Sequence, residues 1–404
     1  MRVLVTDGDS RAALAVTRSL GRRGHEILVG EKHGRSLSHG SRYCVERVVY
    51  PDPSRNSEAF LEGIGNVVRS QAIDVLLPIS DITTFLIAAN RQRFACRIPL
   101  PDISVLERAA NKVDILETAA RIGVPVPRGI VLSDAAALRD QHVDYPVVIK
   151  PWRSRVNTRQ GWRAPMVSHA ANRDDLVRDL SARPDHSFPV LLQERIVGPG
   201  LGVFACIDEG RPVALFSHRR LRERPPWGGV SVLCESVELE ASTRDQATRL
   251  LAEIGWQGPA MVEFKLDHRD GLPKLMEING RFWGSLQLAV DAGVDFPVLA
   301  LEAIHHGPFE VQRPYRVGIR SRWLWGDLDS LLLTLRGSTG LRTSPSGSGR
   351  LAALWEFGKF LGKDLYYDNP KWDDWWPMVV ETRARLAAAA TALLGRLRHG
   401  MDRA

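Results

Sequence analysis

The stretch AMVEFKLDHRDGLPKLMEINGR, residues 260–281, reads as an antiparallel hairpin. On its first arm Val262, Phe264 and Leu266 alternate with Glu263, Lys265 and Asp267, the period-2 pattern of a half-buried strand. The turn HRDGL is centred on Asp270, so folding about it sets Glu263 opposite Glu277, with Asn279 two residues further along the same face. Directly opposed residues lie about 4.5–5.5 Å apart at Cβ, and like charges there destabilise the pair. Something positive is therefore expected between the two glutamates. A hard oxygen donor set of this kind suits Mg²⁺, with Mn²⁺ as an alternative ion, completed by waters and phosphate oxygens. An exposed hairpin with two solvated acids is the plain alternative. The E-x-N-x-R run on the shared face favours the metal.

Outward from the hairpin, lysine is the next signal. The 404 residues contain eight lysines and 46 arginines, and between residues 33 and 264 only Lys112 and Lys150 occur. A GC-rich coding sequence accounts for the bias but leaves those two positions to be explained. Lys150 ends the apolar run VVIK before Pro151, where it either snorkels to the surface or points at an anion as a compact charge. Lys112 falls on an amphipathic stretch, 108–122, that reads as one helix, where a solvated face is the default.

The rest of the chain organises around these positions. Residues 1–107 alternate strand and helix (VLVT 3–6, helix 11–23, EILVG 26–30, strand 48–50, helix 56–70, DVLLPIS 74–80), which predicts an open parallel sheet. The first turn, TDGDSRAA, has one glycine and no G-x-G-x-x-G, so a dinucleotide site is not expected despite the Rossmann-like topology. Residues 108–310 hold α and β elements in two groups. They include the buried strands at 145–152 and 188–196, a glycine-poor loop at 153–165 and a loop at 222–231. From 311 to 404 the composition shifts, with a Gly/Ser/Thr/Pro linker at 337–349 and a final helix from about 378.

Composition narrows the function. Four scattered cysteines form no C-x-x-C pair, which fits neither a zinc site nor a disulfide framework and makes a reducing cytoplasm the default. The N-terminus enters a strand at once, without a signal-peptide core. No apolar run reaches 18 residues. A net charge of +7 with acids and bases interspersed, and no nucleic-acid-binding motif, argues against nucleic acid as a partner. Six of the eleven tryptophans lie beyond residue 310. They either pack the tail onto the body or onto a sister subunit in a homodimer, or anchor the chain peripherally at a membrane, where tryptophan suits the interface. The final helix carries Arg383, Arg385, Arg396 and Arg398, but its Ala-rich stretch has few large anchors to insert, which favours packing.

The ordered set NK (111–112), VVIKP (147–151), LLQERI (191–196), VEFK and MEINGR (262–281) resembles the ATP-grasp superfamily, in particular its ADP-forming carboxylate–amine ligases. The resemblance covers residues 1–305. It implies a Rossmann-like N-terminal domain, a two-subdomain ATP-grasp fold and a helical Trp-rich C-terminal tail. By the family pattern Lys112 and Lys150 hold ATP phosphates, and Gln193, Glu194, Arg195 and Ile196 meet adenine largely by backbone atoms. Glu263, Glu277 and Asn279 hold Mg²⁺. Arg281 stabilises the transferring phosphoryl group or the acyl phosphate, and Lys150 is the second catalytic cation. Two departures stand out. The GPGLG after the adenine strand lacks the acid that many relatives use for ribose, and only Gly161 marks the loop after Lys150.

The resemblance implies a reaction that joins a small-molecule carboxylate to an amine through an acyl phosphate. Rival readings are an ATP-grasp enzyme making another acyl- or carboxy-phosphate product, and a nucleotide-binding scaffold without catalysis, tethered by its tail. For the carboxylate substrate, HRRLRERPPWGGVSV (218–232) offers Arg220 and Arg222, which bind carboxylates bidentately, and Gly228, Gly229 and Ser231. A charged strand edge reads the same segment equally well.

Overall fold

The computed structural model describes residues 1–303, 314–337 and 349–401, with side chains to residue 391. The expected linker at 337–349 and the boundary near 310 lie almost wholly outside the described residues. The chain opens with β1 (Arg2–Val5), α1 (Arg11–Arg22), β2 (Glu26–Glu31), β3 (Cys44–Val49), α2 (Ser57–Ser70), β4 (Val75–Leu77) and α3 (Asp81–Ala89). The four strands form a parallel sheet in the order β3-β2-β1-β4. Val3, Leu4, Val5, Ile27, Leu28, Val75 and Leu76 are wholly buried, because helices cover both faces of such a sheet.

The stretch expected as one helix over 108–122 is two, α4 (Ile103–Ala110) and α5 (Lys112–Arg121). Asn111 breaks it: in extended conformation, its side chain accepts the amides of Val113 and Asp114 and so caps α5. The second sheet follows from β5 (Gly129–Leu132), β6 (Val147–Pro151), β7 (Val156–Thr158), β8 (Gly161–Arg163), β9 (Ser168–Ala170), α6 (Arg173–Ala182) and β10 (Val190–Glu194). It is antiparallel, in the order β5-β10-β6-β9, over a small core with Ile149, Leu176 and Leu192. The loop expected after Lys150 is the β7–β8 hairpin. It leans on the N-terminal domain, where Trp162 stacks on Phe85 at 6.5 Å and its amide donates to the Ser54 carbonyl. Gly161 (φ 96°) permits this approach, since a Cβ there would lie 2.4 Å from that carbonyl oxygen.

The third sheet is built from β11 (Gly200–Asp208), β12 (Arg211–Arg224), β13 (Val230–Ser236), α7 (Ala241–Glu253), β14 (Gly258–Leu266), β15 (Pro273–Asn279), α8 (Leu286–Ala292) and α9 (Phe296–Ala303). Then come β16 (Arg320–Arg322), α10 (Leu324–Arg336), α11 (Arg350–Phe357), β17 (Leu365–Tyr367) and α12 (Trp376–Met401). The strand order is β15-β14-β11-β12-β13-β16-β17, so two strands from beyond residue 310 extend the sheet that carries the hairpin.

A buried ion pair joins the tail to the N-terminal domain. Arg18 of α1 is fully buried, donates to Asp374 Oδ2 at 2.7 Å and reaches the carbonyls of Asp368, Asn369 and Asp374. Asp374 also accepts from Ser41 and from the Arg42 amide. Within the tail two tryptophans hold α12 to the start of α10: Trp323 Nε1 donates to Glu381 and Trp325 Nε1 to Thr382. Trp355, Trp372, Trp375 and Trp376 are exposed. Among the described residues no helix is long and apolar enough to cross a membrane.

Candidate active site

The hairpin pairs as its sequence requires, with Glu263 opposite Glu277 and Met261 opposite Asn279. Nearer the turn, Phe264 pairs with Leu275 and Lys265 with Lys274, a register offset by one residue. The difference is a bulge at Met276, which turns both Met276 and Glu277 toward a cleft of about 480 Å³ between the second and third sheets. Lys112, Lys150, Gln193, Glu194, Arg195, Ile196, Arg220, Gly228, Gly229, Ser231, Glu263, Glu277, Asn279 and Arg281 all line that cleft.

Each glutamate has its own cation. Lys112 Nζ is 3.0 Å from Glu277 Oε2 and donates to Ser154 Oγ at 2.9 Å. The break at Asn111 puts this lysine in the first turn of α5, and its own amide is bound to the Trp152 carbonyl just past β6. Arg220 reaches Glu263 at 2.5 Å, Glu223 at 3.1 Å and the Gly229 carbonyl, which leaves its Nε buried without a partner. Lys150 Nζ contacts the Met276 sulfur at 3.7 Å and forms no ion pair among the described residues.

Burial and charge separate the two glutamates. Burial raises the Glu263 carboxyl above its usual range against the pull of Arg220, and the neighbouring Glu277 adds to the rise. Burial opposes ionisation of Glu277 too, but Lys112 and Lys150 overcome it and hold that carboxyl below its usual range. Burial lowers the Lys150 ammonium to about 8, with Glu277 opposing the fall. Glu263, Glu277 and Asn279 supply two carboxylates and an amide, hard oxygen donors of the kind Mg²⁺ takes. Among the described residues no three or more His, Cys, Asp and Glu side chains gather to hold a metal by themselves. An ion here would need further oxygens from a bound phosphate or water, so the residues present fit Mg²⁺ alongside a nucleotide.

Several residues that shape the site are not legible in the sequence. Arg281 is held by Asp81 at the start of α3, Nε to Oδ1 at 2.5 Å. Burial disfavours the charge on both partners, yet their pairing raises the guanidinium pKa and lowers that of the carboxyl. Asp7, in the first turn of the N-terminal sheet, fixes this helix start by accepting the Ser80 amide at 2.9 Å and the Thr83 hydroxyl at 2.6 Å. The S-D-x-T pattern at 80–83 is a readable helix start, but nothing local joins residue 81 to residue 281. Glu223 also lines the cleft.

The structure does not bring Arg222 there. In a regular strand 220 and 222 share a face, but β12 shifts register twice between Arg220 and Glu223. The irregularity leaves Arg220 and Glu223 on the cleft side and sends Arg222 to Asp327, with two contacts of 2.6 Å.

A parallel N-terminal sheet is followed by two largely antiparallel sheets that close on a cleft with cations and opposed carboxylates. The chain has the ATP-grasp fold. Residues 187–326 match the family described as "ATP-grasp in the biosynthetic pathway with Ter operon". The chain is 23% identical over 224 residues to a D-aspartate ligase of Enterococcus faecium (strain Aus0004), covering 51% of its own length. It spans about half (53%) of that relative. Its fold is similar to that of an L-amino acid ligase from Bacillus licheniformis, with a TM-score of 0.59 at 17% identity over 74% of this chain and 73% of that one. It is also similar to an N5-carboxyaminoimidazole synthetase from Staphylococcus aureus, with a TM-score of 0.59 at 13% identity over 79% and 80%.

Proposed function

We propose that the chain is a Mg-ATP-dependent ligase that activates a small-molecule carboxylate as an acyl phosphate and joins it to an amine, releasing ADP and phosphate. The observation that carries this reading is the convergence of Lys112, Lys150 and Arg281 with the opposed Glu263 and Glu277 in one cleft bordered by Gln193–Ile196. Phosphoryl transfer is mainly positioning and charge neutralisation, and these are the parts it needs.

In this reading the strand end Gln193–Ile196 takes the adenine, and Lys112 and Lys150 take the phosphates. Glu263, Glu277 and Asn279 would hold Mg²⁺, which neutralises phosphate charge when bound. Asp81 keeps Arg281 in place as a fixed cation for the transferring group. The substrate carboxylate oxygen attacks the γ-phosphorus, the bond to the β-phosphate oxygen breaks, and ADP leaves. The amine then attacks the acyl carbon, loses a proton and expels phosphate. No protein nucleophile takes part. Arg220 bridges Glu263 and Glu223, and its remaining donor, with Gly228, Gly229 and Ser231, borders the carboxylate. Incubation with Mg-ATP and panels of carboxylates and amines tests this: ADP release that needs both supports the ligase. Nucleotide binding without turnover across the panel would instead favour a non-catalytic scaffold.

A further inference from the structure

A second chamber, of about 720 Å³, adjoins the nucleotide cleft and shares Arg11, Val230, Arg281 and Gly284 with it. Three parts of the chain wall it: the starts of α1 and α3, the third sheet with Trp323, and the C-terminal helix α12 through Val380, Glu381, Ala384 and Arg385. The tail is thus a wall of a cavity that opens on the candidate reaction centre.

The chamber is rich in donors. Arg11, Arg155, Arg224, Arg281 and Arg385 all line it. Three of them crowd one indole, with guanidinium carbons 4.3 Å (Arg11), 5.9 Å (Arg224) and 5.5 Å (Arg385) from the Trp323 ring centre. Arg224 and Arg385 share a single carboxylate, Asp329. Arg155 has no ion pair among the described residues and donates to the Ser154 carbonyl. The lining acids are turned to their own partners: Glu381 to Trp323 and Asn369, Asp81 to Arg281, Asp9 to the Leu37 amide. The first amides of α1, at Arg11 and Ala12, have no partner within their helix and add to the same field.

We infer that this chamber holds the acceptor amine by a carboxylate on that molecule, and that α12 supplies its anion-binding wall through Arg385. The inference rests on the ligase reading. Arginine suits the task because its planar fork binds carboxylates in two-point geometry. An amine whose carboxylate lies against Arg385 and Trp323 can extend toward Arg281, the residue common to both cavities. The tail then acts as a substrate-selecting element.

The test uses the full chain loaded with Mg²⁺ and AMP-PNP, with acceptor binding followed by titration calorimetry. Probes are alanine, aspartate and glutamate in both enantiomers, against ethylamine and alaninamide, which carry the amine without a carboxylate. At least one amino acid is expected to bind about tenfold or more tightly than the carboxylate-free amines. Arg385→Gln should erase that preference, Arg385→Lys should retain part of it, and neither should change AMP-PNP affinity. Ala384→Trp, at an exposed helix position, should block the acceptor without touching a charge. Equal binding of the carboxylate-free amines, no binding of any amino acid, or an unchanged preference in Arg385→Gln would overturn the inference and leave the nucleotide reading standing. Failure of AMP-PNP itself to bind would overturn both.

Discussion

Raising the pH through 8 should weaken nucleotide binding through one residue, Lys150. Its ammonium lines the cleft, and desolvation lowers it from 10.5 to about 8. That difference corresponds to about 3 kcal/mol against the charged form. The charge is what a phosphate binds, so affinity follows the protonated fraction. With a value of 8 that fraction is about 0.9 at pH 7 and about 0.1 at pH 9, and the Kd for AMP-PNP at fixed free Mg²⁺ should rise about tenfold. An unshifted lysine would stay charged over this range and the Kd would hardly move. The assay is a calorimetric or fluorescence titration at half-unit pH steps, repeated on Lys150→Arg, whose guanidinium stays charged and whose profile should be flat. The stability sign is opposite. The folded value lies below the unfolded one, so the native chain binds fewer protons between pH 8 and 10.5 and this residue's contribution to stability rises across that window. A flat native profile, or the same slope in Lys150→Arg, would refute the assignment.

Glu277→Gln should cut turnover by about a hundredfold or more while far-UV circular dichroism stays unchanged, because it removes the carboxylate that Lys112 and Lys150 hold ionised. Arg222→Gln should leave nucleotide affinity and turnover within about twofold, since Arg222 faces Asp327 outside the cleft. Arg18→Leu should destabilise the chain by about 3–5 kcal/mol in urea unfolding, because it strands the buried Asp374.

How much of this was legible depended on distance along the chain. The opposed Glu263 and Glu277 could be read because a hairpin is local and its two-residue period fixes which side chains share a face. Lys150 stood out for a similar reason, as a charge at the end of an apolar strand. Lys112 was visible by type but not by direction, since its aim depends on the break at Asn111. Arg222 was misplaced and Glu223 missed through one cause: an irregularity in β12 that reverses the alternation on which the reading relied. Asp81 could not be found at all, because its pairing with Arg281 spans 200 residues and two domains. The tail was expected to pack through its tryptophans, yet the buried Arg18–Asp374 pair joins it to α1 and four tryptophans are exposed.

The most direct test of the central claim follows oxygen. Once the panel yields an active carboxylate, that substrate is labelled with ¹⁸O in its carboxyl group and turned over with Mg-ATP and the amine, and the phosphate is analysed by mass spectrometry. Attack of the carboxylate on the γ-phosphorus predicts ADP and one ¹⁸O atom in each released phosphate. Unlabelled phosphate, or label recovered in AMP with release of pyrophosphate, would contradict the account.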